Sequence, residues 1–408
     1  MSYKINNAKS AIHAFLLSIG TTVAEPATIL PLLVSHFSSS LVLVGVFASL
    51  LRGGAIAVQL FAAFYAQSYE RVMKYMHRVF FFRFASWFAV GASIYLVGDD
   101  NPTLTLWLIG IFFFTFSFSA GFGAIYFKEI IAKVFDSKER GSAMANRQLF
   151  SALGAIISGG VTGWVLANFE APNSYAFLFM ISSLIMIVGL ASFGSIKEPP
   201  KKNISHREKS FLEFLKNSRM LLASDQRLQL QIKVSLLGYS FLLAMPFVII
   251  KAKETIELTG WMIGGFITVQ MIGGMIGNMF LWKRFAPNYA LMLQTAYIFM
   301  LTAFFIALFA EGAVAYGLIF FIFGIGMDGF RNADTNLVLE IAPEDKRPVY
   351  VAIQSTIVSL GLFFSIPGGF ILEWFGYTVL YIVTLGMLGV GLFYTQRLKR
   401  HIIPNRNS

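Results

Sequence analysis

Twelve stretches of about 20 apolar residues, joined by polar links, leave this chain few folds to choose from. A helix of that length crosses a hydrocarbon core of ~30 Å, and lipid offers the backbone no hydrogen bonds of its own. The runs fall at residues 11–35, 40–67, 79–98, 104–127, 147–168, 174–194, 228–250, 259–282, 288–310, 312–333, 348–372 and 376–395. Only 13% of residues are charged, against about a quarter in a soluble domain, and they gather between the runs. The expected fold class is an all-α membrane protein with twelve transmembrane helices. The first run is too long for a signal-peptide core and no small-residue cleavage site follows it, so it is expected to stay as a helix.

An even number of spans puts both termini on one side. With the amino terminus inside, the inside loops hold Arg71, Lys74, Arg78, Lys128, Lys133, Lys138, Arg140, Lys283, Arg284, Lys346 and Arg347, while the outside loops hold only Lys251 and Lys253. That asymmetry predicts cytoplasmic termini in the cytoplasmic (inner) membrane. It also accounts for the net charge of +11 without a nucleic-acid partner. Cysteine is absent, so disulfides and thiolate chemistry are excluded.

The longest polar stretch, 195–227, divides the chain into a six-helix bundle at 1–194 and a second at 228–408 that ends in a tail. Phe211, Leu212, Phe214, Leu215, Leu221 and Leu222 recur near helical spacing in this linker, which suits either an interfacial helix or a solvated one. The halves repeat. At an offset of 220, Ala24-Glu25-Pro26 falls on Ala244-Met245-Pro246 and Gly53-Gly54 on Gly273-Gly274; at 207, Arg140 falls on Arg347. Prolines at one depth loosen the backbone where a helix must move.

The repeat isolates two charges. Glu25 corresponds to Met245 and Arg52 to Ile272, so the scaffold requires neither. Counted along their helices, both lie near the bilayer midplane. A carboxylate there costs about 2.5–3.5 kcal/mol or more, so it is expected to have a function. The two are expected to face each other as an ion pair that opens during transport and so couples a proton to the solute. The alternative is a permanent buried pair with no function.

Twelve helices in six plus six around a basic central loop resemble the Major Facilitator Superfamily, and the resemblance covers nearly the whole chain. That family's loop between helices 2 and 3 usually reads Gly-x-x-x-Asp-Arg-x-Gly-Arg-Arg. Here Gln67 stands for the acid, and Arg71 and Lys74 keep the basic character. Asp136, Glu139 and Arg140 look like its loop after helix 4. Gly154, Ser158, Gly159, Gly160 and Gly163 are similar to the helix-5 motif of its proton antiporters without the proline, though close packing explains small residues equally well. The resemblance implies a secondary transporter with two pseudo-symmetric bundles working by alternating access.

The remaining candidates follow from position. Thr21, Thr22, Gln59, Gln231, Tyr239 and Gln270 are uncharged polar residues on pore-forming helices, open to solute contact or helix packing. Asp328 and Arg331 share one face near the inner end of helix 10, beside Asn332, Asp334 and Asn336, and are expected to serve an inner gate with Arg71, Lys74, Asp136 and Arg140. Arg83 is expected to snorkel to the interface. Gly324-Ile-Gly326-Met-Asp-Gly329 matches a dinucleotide fingerprint but lies inside a membrane helix, and there is no Walker sequence. The five histidines form no metal pattern. No cofactor and no metal are expected, and no catalytic residues. The expected function is secondary active transport of a small organic solute by a monomer, with protons as coupling ion and export as direction. The alternatives are an importer or facilitator of an organic anion using Arg52, and a non-transporting sensor.

Overall fold

The computed structural model describes residues 2–66, 69–200, 219–285, 288–343 and 347–402. Regular structure among them is helical. The elements are α1 (Ser2–Thr22), α2 (Ile29–Phe37), α3 (Leu41–Ala66), α4 (Met73–Leu96), α5 (Pro102–Val134), α6 (Ser137–Asn168), α7 (Asn173–Gly194), α8 (Gln226–Gly238), α9 (Met245–Thr255), α10 (Gly260–Ile276), α11 (Tyr289–Leu308), α12 (Ala313–Ile341), α13 (Arg347–Val358) and α14 (Ser365–Ile402). Among the described residues nine helices are long and apolar enough to cross a membrane. The anticipated interfacial stretch lies mostly at 201–218, outside the described residues.

Three expected spans are broken rather than continuous, each next to a proline. Proline has no N–H, and its ring meets the carbonyl four residues back. For Pro26 that residue is Thr22, the last of α1; the chain then turns through 23–28 before α2 begins. For Pro246 it is Leu242, inside the 3-10 turn Tyr239–Leu243 that separates α8 from α9. For Pro367 it is Phe363, the end of the 3-10 turn Ser359–Phe363 between α13 and α14. The runs 348–372 and 376–395, expected as separate spans, are divided within α14 by a kink at Gly376 with φ +78, a conformation open to glycine.

The chain forms two compact units. The first comprises Met1–Ser39, Phe47–Arg207 and Leu258–Thr268; the second comprises Ser40–Val46, Glu208–Glu257 and Val269–Ser408. In the first, α1 packs on α6 and α7, and α4 on α5 and α7. Trp87 centres this core, 1% exposed, with Nε1 donating to Gly20 O at 2.9 Å and to the Ser182 hydroxyl at 3.1 Å. Gly159 of α6 lies so close to residues 258–268 that a Cβ there would stand 2.3 Å from Thr268 Oγ1, and one on Gly264 would stand 2.3 Å from Gly159 O. In the second unit, α11 packs on α12 and α14, and α14 on α8. Residues 40–46 dock on α14: the Glu373 carboxylate accepts from the Ser40 hydroxyl at 2.9 Å and from Val42 N at 3.0 Å.

α8 starts on an acid that reports on pH. Asp225 accepts from the backbone N–H of Arg227 (2.8 Å) and Leu228 (3.2 Å) and from the Tyr350 hydroxyl (2.5 Å). Burial works to raise its carboxyl, but the Tyr350 hydroxyl, the two N–H groups and the Arg227 charge together hold it below its ordinary value. A group depressed in the folded state adds stability that is complete above the ordinary carboxylate range and is lost as pH falls through the folded value. Asp225→Asn is therefore expected to flatten the loss of melting temperature on acidification. A variant whose acid profile overlays the wild type would refute this.

Candidate functional site

The break between α1 and α2 holds the first candidate. Glu25 is half-buried between Ala24 (0% exposed) and Ala27 (5%), with Thr28 and Ile29 fully buried beyond. Its carbonyl accepts from Thr28 N at 3.0 Å and Leu30 N at 3.3 Å, which ties the turn to the start of α2. Its carboxylate has no hydrogen-bond or ion-pair partner among the described residues. Arg52, half-buried on α3, has none either. The expected Glu25–Arg52 ion pair is therefore not formed in this structure. Depth along two helices is fixed by rise per residue, but contact also needs the right rotation of each helix, and the break at 23–28 resets that rotation for α1.

Thr21 and Thr22 bond back to their own helix, at Leu17 O (3.0 Å) and Ser18 O (2.7 Å). Gln270 is buried with its carbonyl oxygen unpartnered. Its backbone touches α12, where a Cβ on Gly324 would come 2.0 Å from Gln270 O. Tyr239, in the 3-10 turn, packs its ring 5.9 Å from Phe241 and 5.5 Å from Phe330. The side chain of Gln59 and all of Gln67 lie outside the described part of the structure.

Gln231 belongs to a network that sequence reasoning reached only in part. Asp334 of α12, 8% exposed, accepts from Gln231 Nε2 (2.9 Å), from the Ser235 hydroxyl and from Gln354 Nε2 (2.8 Å). One carboxylate thus joins α8, α12 and α13 through neutral donors, with no cation paired to it among the described residues. Asp334 was grouped with a helix end; Ser235 and Gln354 carried no signal, since their importance comes from what they meet.

The gate candidates have local partners. Asp328 pairs with Arg331, and its other oxygen accepts from Asn278 Nδ2 at 2.9 Å in the π-helical turn Gly277–Trp282. Asn332 Nδ2 donates to Asn278 Oδ1 at 2.6 Å. Arg140 donates to Ala132 O (2.9 Å) and Phe135 O (3.3 Å), closing the end of α5. Asp136 is exposed at the start of α6, and Arg71 and Lys74 are exposed at the start of α4. Lys74 lies 5.9 Å from the Tyr75 ring.

The missing acid of the 2–3 loop is supplied from elsewhere. Glu198, expected only as linker, has a side chain 1% exposed. It accepts from Val72 N (3.1 Å) and Met73 N (2.7 Å), the first amides of α4, and pairs with Lys133 Nζ at 2.7 Å. Lys133 also donates to Glu70 O at 3.0 Å. A helix start has unpaired N–H groups and a positive dipole end, so a carboxylate there satisfies both.

The sequence matches the family model described as Major Facilitator Superfamily over residues 10–366. The chain belongs to the Major Facilitator Superfamily. It is thereby a membrane transporter and not an enzyme. Several solved structures share its fold. A mutant of nucleoside transporter NupG superposes with a TM-score of 0.73 at 11% identity, covering 96% of this chain and 99% of that one. The xylose transporter XylE from E. coli gives 0.66 at 14%, covering 97% and 95%. A bacterial homolog of the human lysosomal transporter Spinster gives 0.65 at 14%, covering 99% and 98%. No curated protein sequence matches this chain.

Proposed function

We propose that this chain is a proton-coupled secondary transporter of a small organic solute, working by alternating access as a monomer in the cytoplasmic membrane with both termini inside, and that Glu25 carries the coupled proton. The observation behind this reading is the unpartnered Glu25 carboxylate in an unwound break of a membrane helix. A carboxylate locked in an ion pair holds its charge; one without a partner can exchange a proton as its access to water changes. A permanent buried pair would be present in every state of the cycle, so its absence here speaks against that alternative. The matched prolines Pro26 and Pro246 break both halves at one register and suit helices that bend during the cycle. Close packing accounts for Gly154, Gly159 and Gly163, which meet Phe15, Gly264 and Gly260, so these helix-5 glycines carry no direction. The reading therefore assigns coupling without choosing export over import.

The test uses proteoliposomes loaded with a pH-sensitive dye and challenged with a metabolite and drug panel. At least one compound is expected to move protons with the wild type. Glu25→Gln is expected to abolish that movement while counterflow of the same labelled compound persists. Full proton movement in Glu25→Gln would end the proposal.

A further inference from the structure

Three basic side chains of the first unit, His13 on α1, Arg83 on α4 and Arg147 on α6, lie away from the solute-contact and gate candidates read from the sequence. Arg147 of α6 donates from Nη1 to Ser10 O at 2.9 Å and sits 2.9 Å from Nδ1 of His13 on α1. Its guanidinium lies 4.4 Å from the Phe127 ring and 6.0 Å from Phe193. His13 packs 4.9 Å from Phe193 and is itself buried. Arg83 of α4 lies over Phe116 at 4.6 Å, and that ring is 4.2 Å from Trp87 in the core. Phe80, one turn before Arg83 on α4, lies 5.8 Å from the His13 ring and 6.2 Å from Phe193, which places this stretch of α4 beside His13 and the Phe193 ring that faces Arg147. The Arg83 guanidinium lies against the neighbouring helix, and its Nε is sealed from solvent with no partner.

The unmet polar atoms are all donors. Arginine cannot accept a hydrogen bond, so Nδ1 of His13 must accept from Arg147, and the ring proton then sits on Nε2. That Nε2 is also buried without a partner. Among the described residues no carboxylate pairs with either arginine. Arginine stays charged in proteins, and burying such a charge costs several kcal/mol. The aromatic faces offset only part of that cost. Ser10 and His13 hold Arg147 in place, while Nε of Arg83 and Nε2 of His13 have no acceptor among the described residues, so two cations and two unmet N–H groups are offered to an anionic ligand. Both arginines keep partial exposure, so a ligand can reach them.

We propose that Arg83, Arg147 and His13 bind the anionic group, a carboxylate or a phosphate, of a small soluble molecule. This deepens the transporter reading by naming a substrate class, and rests on that reading for its role in transport. Binding itself does not depend on Glu25 or on protons.

The experiment is calorimetry and thermal shift on the detergent-purified full chain. The probes are inorganic phosphate, glycerol phosphate, benzoate and succinate, against glycerol, benzamide and succinamide, with phosphatidylglycerol as a separate arm. At least one soluble anion is expected to bind the wild type while its neutral counterpart does not. Arg83→Gln and Arg147→Gln are each expected to weaken that binding about tenfold or more, and Arg78→Gln, which changes an arginine beside Tyr75, to leave it unchanged. Should a glutamine variant fail to fold, Arg83→Lys and Arg147→Lys decide. They keep the charge but lose the fork, so weaker binding is expected and wild-type binding would refute the site. The proposal is overturned if no soluble anion binds the wild type, if the arginine variants bind as the wild type does, or if only phosphatidylglycerol gives a signal. Anion binding retained by a Glu25→Gln protein that still moves protons would bring down the coupling reading alone. Proton movement without anion binding would bring down this one alone.

Discussion

Glu198→Ala is expected to destabilise the detergent-solubilised protein, since two buried backbone N–H groups lose their acceptor at about 1–3 kcal/mol each, while Lys133 keeps Glu129 at 3.4 Å and Glu70 O at 3.0 Å. Lys133, its side chain 10% exposed, would lose the carboxylate at 2.7 Å, and Val72 N and Met73 N would lose their acceptor. The loss falls on three elements at once, because Glu198 follows α7 and holds the start of α4 to the end of α5. Glu198→Gln separates the contributions: its amide oxygen can still accept from one backbone N–H but offers Lys133 no charge, so its melting temperature should fall between the two. A Glu198→Ala protein that melts with the wild type would refute this account of the 2–3 loop.

Asp334→Ala is expected to be the costliest change in the second unit. It removes one acceptor that serves Gln231, Ser235 and Gln354, and each buried donor left unmet costs about 1–3 kcal/mol. Asp334→Asn should cost less, since it keeps one oxygen for Gln231 and Ser235, and Gln354 can turn its own amide oxygen towards the new NH₂. Melting temperatures in the order wild type, Asn, Ala would support the network. Equal values for all three would show that the donors are satisfied some other way.

Some of this was legible from residues alone. The helices were, because lipid leaves a backbone no alternative and apolar runs of fixed length mark the spans. The places of the three breaks were marked by Pro26, Pro246 and Pro367, although the runs were drawn through them: hydropathy averages over a window, whereas a missing N–H acts at one residue. Glu25 stood out because the repeat put Met245 in its place. Its partnership with Arg52 did not follow, since matched depth says nothing of helix rotation. Arg83 reads as a snorkelling residue because charge near a helix end usually finds water; in the structure its guanidinium lies over the Phe116 ring. Glu198 read as linker because the acid before two prolines looks solvated until Lys133, 65 residues earlier, is brought to it. His13 and Arg147 are 134 residues apart and looked like strays.

The sequence by itself determined that this is a membrane protein of long helices in two related halves, which membership of the superfamily then made a transporter. Those properties depend on apolar run length, proline position and repeat offset, all of which are local or additive along the chain. Only the tertiary structure decided which polar groups meet: Asp334 with three neutral donors, Glu198 with Lys133, two arginines with no acid between them. Such meetings depend on helix rotation and on contacts between distant residues, and a buried charge is costly or harmless according to which neighbour the fold supplies.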